Sequence, residues 1–295
     1  MEPTTATIHA NDVEFAYLEL GSGPLALCLH GFPDSAHGWR HQLPALAGAG
    51  YRAVAPWMRG YAPTSVPADG CYQQGALAAD ANALHEVLGG DGDAVLVGHD
   101  WGATAVYPAV NHEPQRWRAG VAMAVPHPAA MAGMILDYDQ LKRSFYMFVF
   151  QHPLAEAIVQ QEDLAFIDRL WADWSPGLDP EVAAGALTHV KESLRDPENL
   201  AAALGYYRAT IGGVGLDPRY DEVQAAGAGP VELPFLYLHG ADDGCVGVGY
   251  ADAGRGFLTH PSSRTAVIEG AGHFLQLEQP ERVNAELLGF LSRLS

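Results

Sequence analysis

The chain has 295 residues, 48% of them hydrophobic and 17% charged, a balance that suits one large folded core and excludes a disordered or fibrous polymer. Its 35 acidic residues outnumber the 16 Lys and Arg, and the formal charge of -19 repels phosphate backbones and anionic lipid, so neither nucleic acid nor a membrane is an expected partner. In chain order, Val13 to Leu20 alternates with period two, as a half-exposed edge strand does. Short apolar runs follow at Leu25 to Leu29, Arg52 to Ala55, Ala94 to Val97 and Gly120 to Ala124, and resume at Phe235 to Leu238 and Thr265 to Ile268. Between and after them lie helical stretches at Trp39 to Ala49, Ala76 to Leu88, Ala103 to Asn111 and Arg282 to Leu294. That alternation predicts an α/β fold with a mostly parallel central sheet flanked by helices.

From about His127 to Gly229 the rhythm changes to a helical pattern rich in Met, Phe, Tyr and Trp, broken at Pro153, Ser175-Pro176-Gly177 and Pro197. Because strands return at Phe235, this stretch is expected to be a helical cap, residues 127–229, inserted into a core made of 1–126 and 230–295. Cys28, Cys71 and Cys245 are odd in number, far apart and without metal-ligand spacing, which predicts packing thiols in a reducing compartment. Met1 to Asn11 has no basic stretch followed by an apolar core, and no apolar run is long enough to span a bilayer, so the expected location is the cytoplasm.

Gly98-His99-Asp100-Trp101-Gly102 follows the strand-like run Ala94 to Val97 and precedes a helix, the setting in which a G-x-nucleophile-x-G turn lifts a side chain above a sheet. With 33 glycines the string itself is common; its placement gives it weight. A carboxylate nucleophile needs no base to deprotonate it and attacks saturated carbon to give an ester, whereas Ser or Cys would point to acyl transfer. The bland alternative is an Asp that caps the following helix.

His30-Gly31-Phe32-Pro33 follows the strand-like run Leu25 to Leu29, and the backbone N–H groups of Phe32 and Trp101 are the candidate oxyanion hole. Near the C-terminus, the Gly-rich loop Gly270-Ala271-Gly272-His273-Phe274 presents His273 where a general base is needed. After Phe235 to Leu238, His239-Gly240-Ala241-Asp242-Asp243 offers two acids to orient that base; Asp243 is preferred and Asp242 is the alternative.

These residues resemble the epoxide hydrolases of the α/β-hydrolase superfamily. The likeness runs through His30-Gly31-Phe32-Pro33-Asp34-Ser35, Trp39-Arg40, Leu43-Pro44-Ala45-Leu46, Arg59-Gly60-Tyr61 and the turn at Asp100, and covers most of the chain. In the cap, Phe150-Gln151-His152-Pro153 is similar to a family segment just after a catalytic tyrosine, which by the family's spacing is Tyr146. Tyr207-Arg208 resembles the family's second cap tyrosine, with Tyr206 the alternative. The resemblance implies an α/β-hydrolase fold and a two-step reaction on a small-molecule substrate, an apolar epoxide. Asp100 attacks carbon while Tyr146 and Tyr207 hydrogen-bond the oxygen, and water activated by His273 and Asp243 hydrolyses the ester. His30, Pro33, Trp57 and Trp101 are the candidate substrate-lining residues; no metal or organic cofactor is implied, and a monomer or homodimer is expected. Trp57 stands where many relatives have an acidic residue and Leu154 where Gly is usual.

The nearest rival is a haloalkane or haloacid dehalogenase, which uses the same kind of nucleophile. Phe32 offers only a backbone N–H where many haloalkane dehalogenases place Asn, and Val125-Pro126-His127 lacks the acid some carry there. A hydrolase-fold protein that binds a ligand without turnover is the rival of another class.

Overall fold

The computed structural model describes residues 2–131 and 133–294. Among these the core is one sheet of eight strands, β1 (Thr4–Ala10), β2 (Val13–Gly21), β3 (Leu25–Leu29), β4 (Arg52–Pro56), β5 (Val95–His99), β6 (Ala119–Met123), β7 (Phe235–Gly240) and β8 (Arg264–Ile268), in the order β1-β2-β4-β3-β5-β6-β7-β8. β1 and β2 run antiparallel to their neighbours, and every pairing from β4 to β8 is parallel. β3, β5, β6 and β7 are buried along their whole length, which is why they read as unbroken apolar runs. Helices Gln74–Val87 and Trp101–His112 pack on each other, as do Gln42–Gly48 and Pro280–Leu291.

The edge-strand reading of Val13 to Leu20 is corrected: β2 lies inside the sheet, with β1 outside it. Only Ala10 of β1 is buried, so the strand has no hydrophobic alternation to announce it. Its one signal is the Asn11-Asp12 turn, where both residues have positive φ (44° and 62°), the two-residue hairpin geometry that matches strand twist. The stretch from Trp39 is also less regular than its pattern predicts. A 3-10 turn at Ala36–Trp39, capped by Ser35 Oγ accepting from the His37 N–H, precedes the α-helix Gln42–Gly48.

The insertion lies between β6 and β7 and is helical. Its long helix, Ala155–Trp174, is interrupted where Glu162, Asp163 and Leu164 take positive φ. Ser175-Pro176-Gly177 ends it. Helices Pro180–Leu194 and Pro197–Tyr207 each start with an Asp N-cap followed by Pro, the arrangement that leaves no orphan donor for Pro to lose. Asp221–Ala226 turns back onto the core helices, with Gln224 Oε1 accepting from the Gly75 N–H at 3.2 Å and Asn111 Nδ2 donating to the Ala226 carbonyl at 2.9 Å. No helix among the described residues is long and apolar enough to cross a membrane.

Candidate active site

Asp100 sits at the carboxyl end of β5, in the middle of the parallel part of the sheet, where open α/β sheets place their ligand crevice. Its backbone is left-handed, φ 52° and ψ -116°, a conformation that costs a non-Gly residue about 1–3 kcal/mol and persists only where its surroundings enforce it. The glycines make the turn possible: a Cβ on Gly98 would lie 2.3 Å from the Gly102 carbonyl oxygen, and one on Gly102 would lie 2.0 Å from that of Leu29. The Asp100 side chain does not cap the helix Trp101–His112. Instead Oδ1 accepts from the Phe32 N–H at 2.7 Å. The Trp101 N–H, at the first helical position, has no acceptor within the helix.

His273 is buried, with Nε2 3.6 Å from Asp100 Oδ2 and Nδ1 3.0 Å from Asp243 Oδ2. The other Asp243 oxygen accepts the N–H groups of Cys245 (2.7 Å) and Val246 (2.9 Å), which fixes the carboxylate toward the imidazole. Asp242 is exposed, and its N–H donates to the Ala271 carbonyl at 2.8 Å. Burial works to lower the imidazole's pKa, but the Asp243 and Asp100 carboxylates outweigh it and lift His273 to about 10. Burial likewise opposes the Asp243 charge, and His273 overcomes that and holds the carboxyl below its usual range.

The end of the helix Ala155–Trp174 grips both loops. The Trp174 carbonyl accepts from Gly244 and from His273, each at 3.0 Å. Ser175 Oγ accepts from the Phe274 N–H at 3.0 Å and donates to Glu278 Oε1 at 2.6 Å, and the same oxygen of Glu278 accepts from the Gly272 N–H at 2.9 Å. This approach needs glycine: a Cβ on Gly244 would lie 2.0 Å from the Asp173 carbonyl oxygen and one on Gly272 2.6 Å from that of Trp174.

Tyr146 and Tyr207 are brought together, their rings edge to face at 5.5 Å, and Asp100 adds to the burial that pushes both phenols well above their ordinary pKa. The Tyr207 hydroxyl is buried and has no hydrogen-bond partner among the described residues, while Tyr206 spends its hydroxyl on the Arg59 carbonyl at 2.8 Å. Trp101 packs its ring against Tyr207 at 5.0 Å. The Pro33 carbonyl accepts from the Trp171 indole at 2.8 Å. His30 has both ring nitrogens committed to backbone groups. His30 is held neutral, burial driving it to about 4, and its Nε2 accepts from the Met58 N–H at 2.9 Å while Nδ1 bonds the Gly31 carbonyl at 2.8 Å. Trp57 is buried edge-on to His37.

Sequence reasoning gave no site role to Asp34, Ser175, Cys245 or Glu278. Asp34 is buried beside the site, burial raising it to about 7. Ser175 entered only as a helix break, and Cys245 only as a packing thiol, although it follows Asp243 by two residues. A cavity of about 440 Å³ is walled by Thr104, Met147, Ile211 and mostly apolar side chains; Asp100, His273, Tyr146 and Tyr207 are not among the residues that line it. Among the described residues no group of three or more His, Cys, Asp or Glu side chains is arranged to hold a metal ion.

Residues 24–280 match the alpha/beta hydrolase fold family. Over nearly its whole length the chain is similar to Epoxide hydrolase A of Mycobacterium tuberculosis (32% identity, 99% of this chain and 98% of the relative) and to an epoxide hydrolase of Caballeronia sordidicola (29%, 96% and 92%). Among solved structures, Epoxide Hydrolase A from Mycobacterium thermoresistibile is similar with a TM-score of 0.80 at 28% identity over 98% of each chain. Bacillus megaterium epoxide hydrolase in complex with an inhibitor has a TM-score of 0.81 at 26% identity, over 97% of this chain and 100% of that one.

Proposed function

Since the chain belongs to the epoxide hydrolase family of the alpha/beta hydrolase fold, we propose that it opens an apolar epoxide to a vicinal diol through an ester on Asp100. The observation that carries this reading is a carboxylate at the elbow with one oxygen on the Phe32 N–H, the other near His273, and two buried phenols that its charge reaches. Asp100 forms a bond to an epoxide carbon as the carbon–oxygen bond breaks, and the phenol hydrogens of Tyr146 and Tyr207 stabilise the departing oxygen. The apolar cavity that includes Met147 and Ile211 in its wall is the expected place for the apolar remainder of the substrate. His273 then removes a proton from water, which attacks the Asp100 ester carbonyl; Phe32 and Trp101 N–H groups hold the oxyanion. A phenol gives the alkoxide its proton and is restored by the one His273 took from water, while the second proton of that water passes to the diol oxygen released from the ester, so the diol leaves and Asp100 and His273 are restored.

The test is intact mass of a His273→Gln protein after incubation with styrene oxide, since this variant forms the ester without hydrolysing it. An adduct of one epoxide, absent when Asp100→Asn is added, is expected. Displacement of halide is the competing reading, favoured by the buried Trp101 indole N–H, which has no acceptor among the described residues. Adducts from haloalkanes but from no epoxide would establish that reading instead.

A further inference from the structure

Cys245 occupies a position that its own turn leaves little freedom to change. Its N–H is held by Asp243 Oδ1 at 2.7 Å, its carbonyl accepts from Gln140 Nε2 at 2.8 Å, and the same Gln140 takes the Gly247 N–H on Oε1 at 3.0 Å. Gln140 is buried and belongs to the cap helix Tyr138–Arg143, so core and cap together fix the backbone of residue 245. The side chain that results points its sulfur at the Tyr146 hydroxyl, 3.4 Å away.

We infer that Cys245 is a positioning residue for epoxide opening, whose thiol donates a hydrogen bond to the Tyr146 oxygen so that the phenol hydrogen is directed at the epoxide. The inference rests on the epoxide reading above. A phenol oxygen carries one hydrogen and accepts through its lone pairs, and sulfur is a weak acceptor and a weak donor. Burial keeps both groups protonated, so two hydrogens compete for one contact. An epoxide oxygen is a better acceptor than sulfur, and its arrival turns the phenol hydrogen toward substrate by rotation of the hydroxyl alone. The thiol hydrogen then fills the vacated side of the phenol oxygen. A donor at that oxygen polarises the phenol and strengthens the bond it gives, as hydrogen-bond chains do in a dry site. No bond is made or broken at sulfur.

The experiment reads the two chemical steps separately. Alkylation is followed as the rate of adduct formation with styrene oxide in the His273→Gln background, and ester hydrolysis by single turnover with His273 intact. Cys245→Ala is expected to slow alkylation about three- to tenfold, the rate equivalent of one modest hydrogen bond, and to leave ester hydrolysis within about twofold. Cys245→Ser, which restores a donor, is expected to recover the alkylation rate. Alkylation at the unaltered rate in Cys245→Ala overturns the proposal, and so does an equal slowing of both steps that Ser does not rescue, which is the mark of a packing role. A Cys245-intact, His273→Gln protein that takes up neither styrene oxide nor any of a panel of other epoxides brings down the epoxide reading itself, and this inference with it.

Discussion

His273 Nε2 stands 3.6 Å from Asp100 Oδ2, a spacing that in the proposed reaction couples the charge of Asp100 to the readiness of His273 as a base. While Asp100 is a free carboxylate, its charge joins that of Asp243 in lifting His273 to about 10, against the opposing effect of burial. An ester on Asp100 removes that charge, so the imidazole is freed to act as a base at lower pH. The ester is therefore expected to hydrolyse with a pKa well below that of His273 in the free protein. Rapid-mixing measurement of ester hydrolysis against pH, set beside an NMR titration of His273, checks this; coincident pKa values would show that the nucleophile does not tune the base.

The same shift enters stability. The folded pKa of about 10 lies above the unfolded value of about 6.5, so the contribution is complete below the lower pH and fades as pH rises through the higher. The advantage in thermal unfolding midpoint of the unaltered protein over His273→Gln should shrink across that window. An advantage that grows with pH would mean that the imidazole is buried neutral.

Asp243→Asn keeps an acceptor for the N–H groups of Cys245 and Val246 but presents an amide to His273 Nδ1 and so favours the wrong tautomer. Ester hydrolysis is expected to fall about 10³- to 10⁴-fold, as in triads generally, with alkylation much less affected. Single-turnover kinetics should show the ester accumulating. Equal losses in both steps would indicate general collapse of the site.

Tyr146→Phe and Tyr207→Phe each remove one donor to the leaving oxygen and are each expected to slow alkylation by about 10²-fold, the scale of a single oxyanion donor. Tyr206→Phe, whose hydroxyl is engaged by the Arg59 carbonyl, should change the alkylation rate far less. Pre-steady-state alkylation rates compare the three directly; a larger loss from Tyr206→Phe than from Tyr207→Phe would reverse the assignment.

Arg59 is fully buried and meets Asp80 with both Nε and Nη2 at 2.6 Å. Arg59→Met leaves Asp80 buried without its partner and is expected to cost about 3–5 kcal/mol in urea unfolding. Adding Asp80→Leu should recover much of that loss. No recovery would mean that the guanidinium is needed for its third bond, to the Cys71 carbonyl at 2.6 Å, rather than for charge pairing.

The parallel strands were legible because burial on both faces forces apolar runs, and the elbow was legible because its glycines are required by contacts of 2.0–2.3 Å. β1 was not, since an exposed strand leaves no hydrophobic pattern. Asp242 and Asp243 look alike in sequence; only the turn's curvature buries one and exposes the other. The tyrosine pair separates for a similar reason, as the partner that occupies Tyr206 comes from a loop far away in the chain. Ser175, Cys245 and Glu278 act through contacts with distant residues, and no local spacing encodes those.

The Trp174 carbonyl, shared by Gly244 and His273, makes one end of the roof a structural member of the machinery it shelters. A lid that swung upward from that corner would drag the base and its acid out of register, and the protein would be inactive for as long as it stood open. For the proposed reaction, passage of substrate and product is expected by way of the apolar cavity walled by Met147 and Ile211, with that corner left anchored.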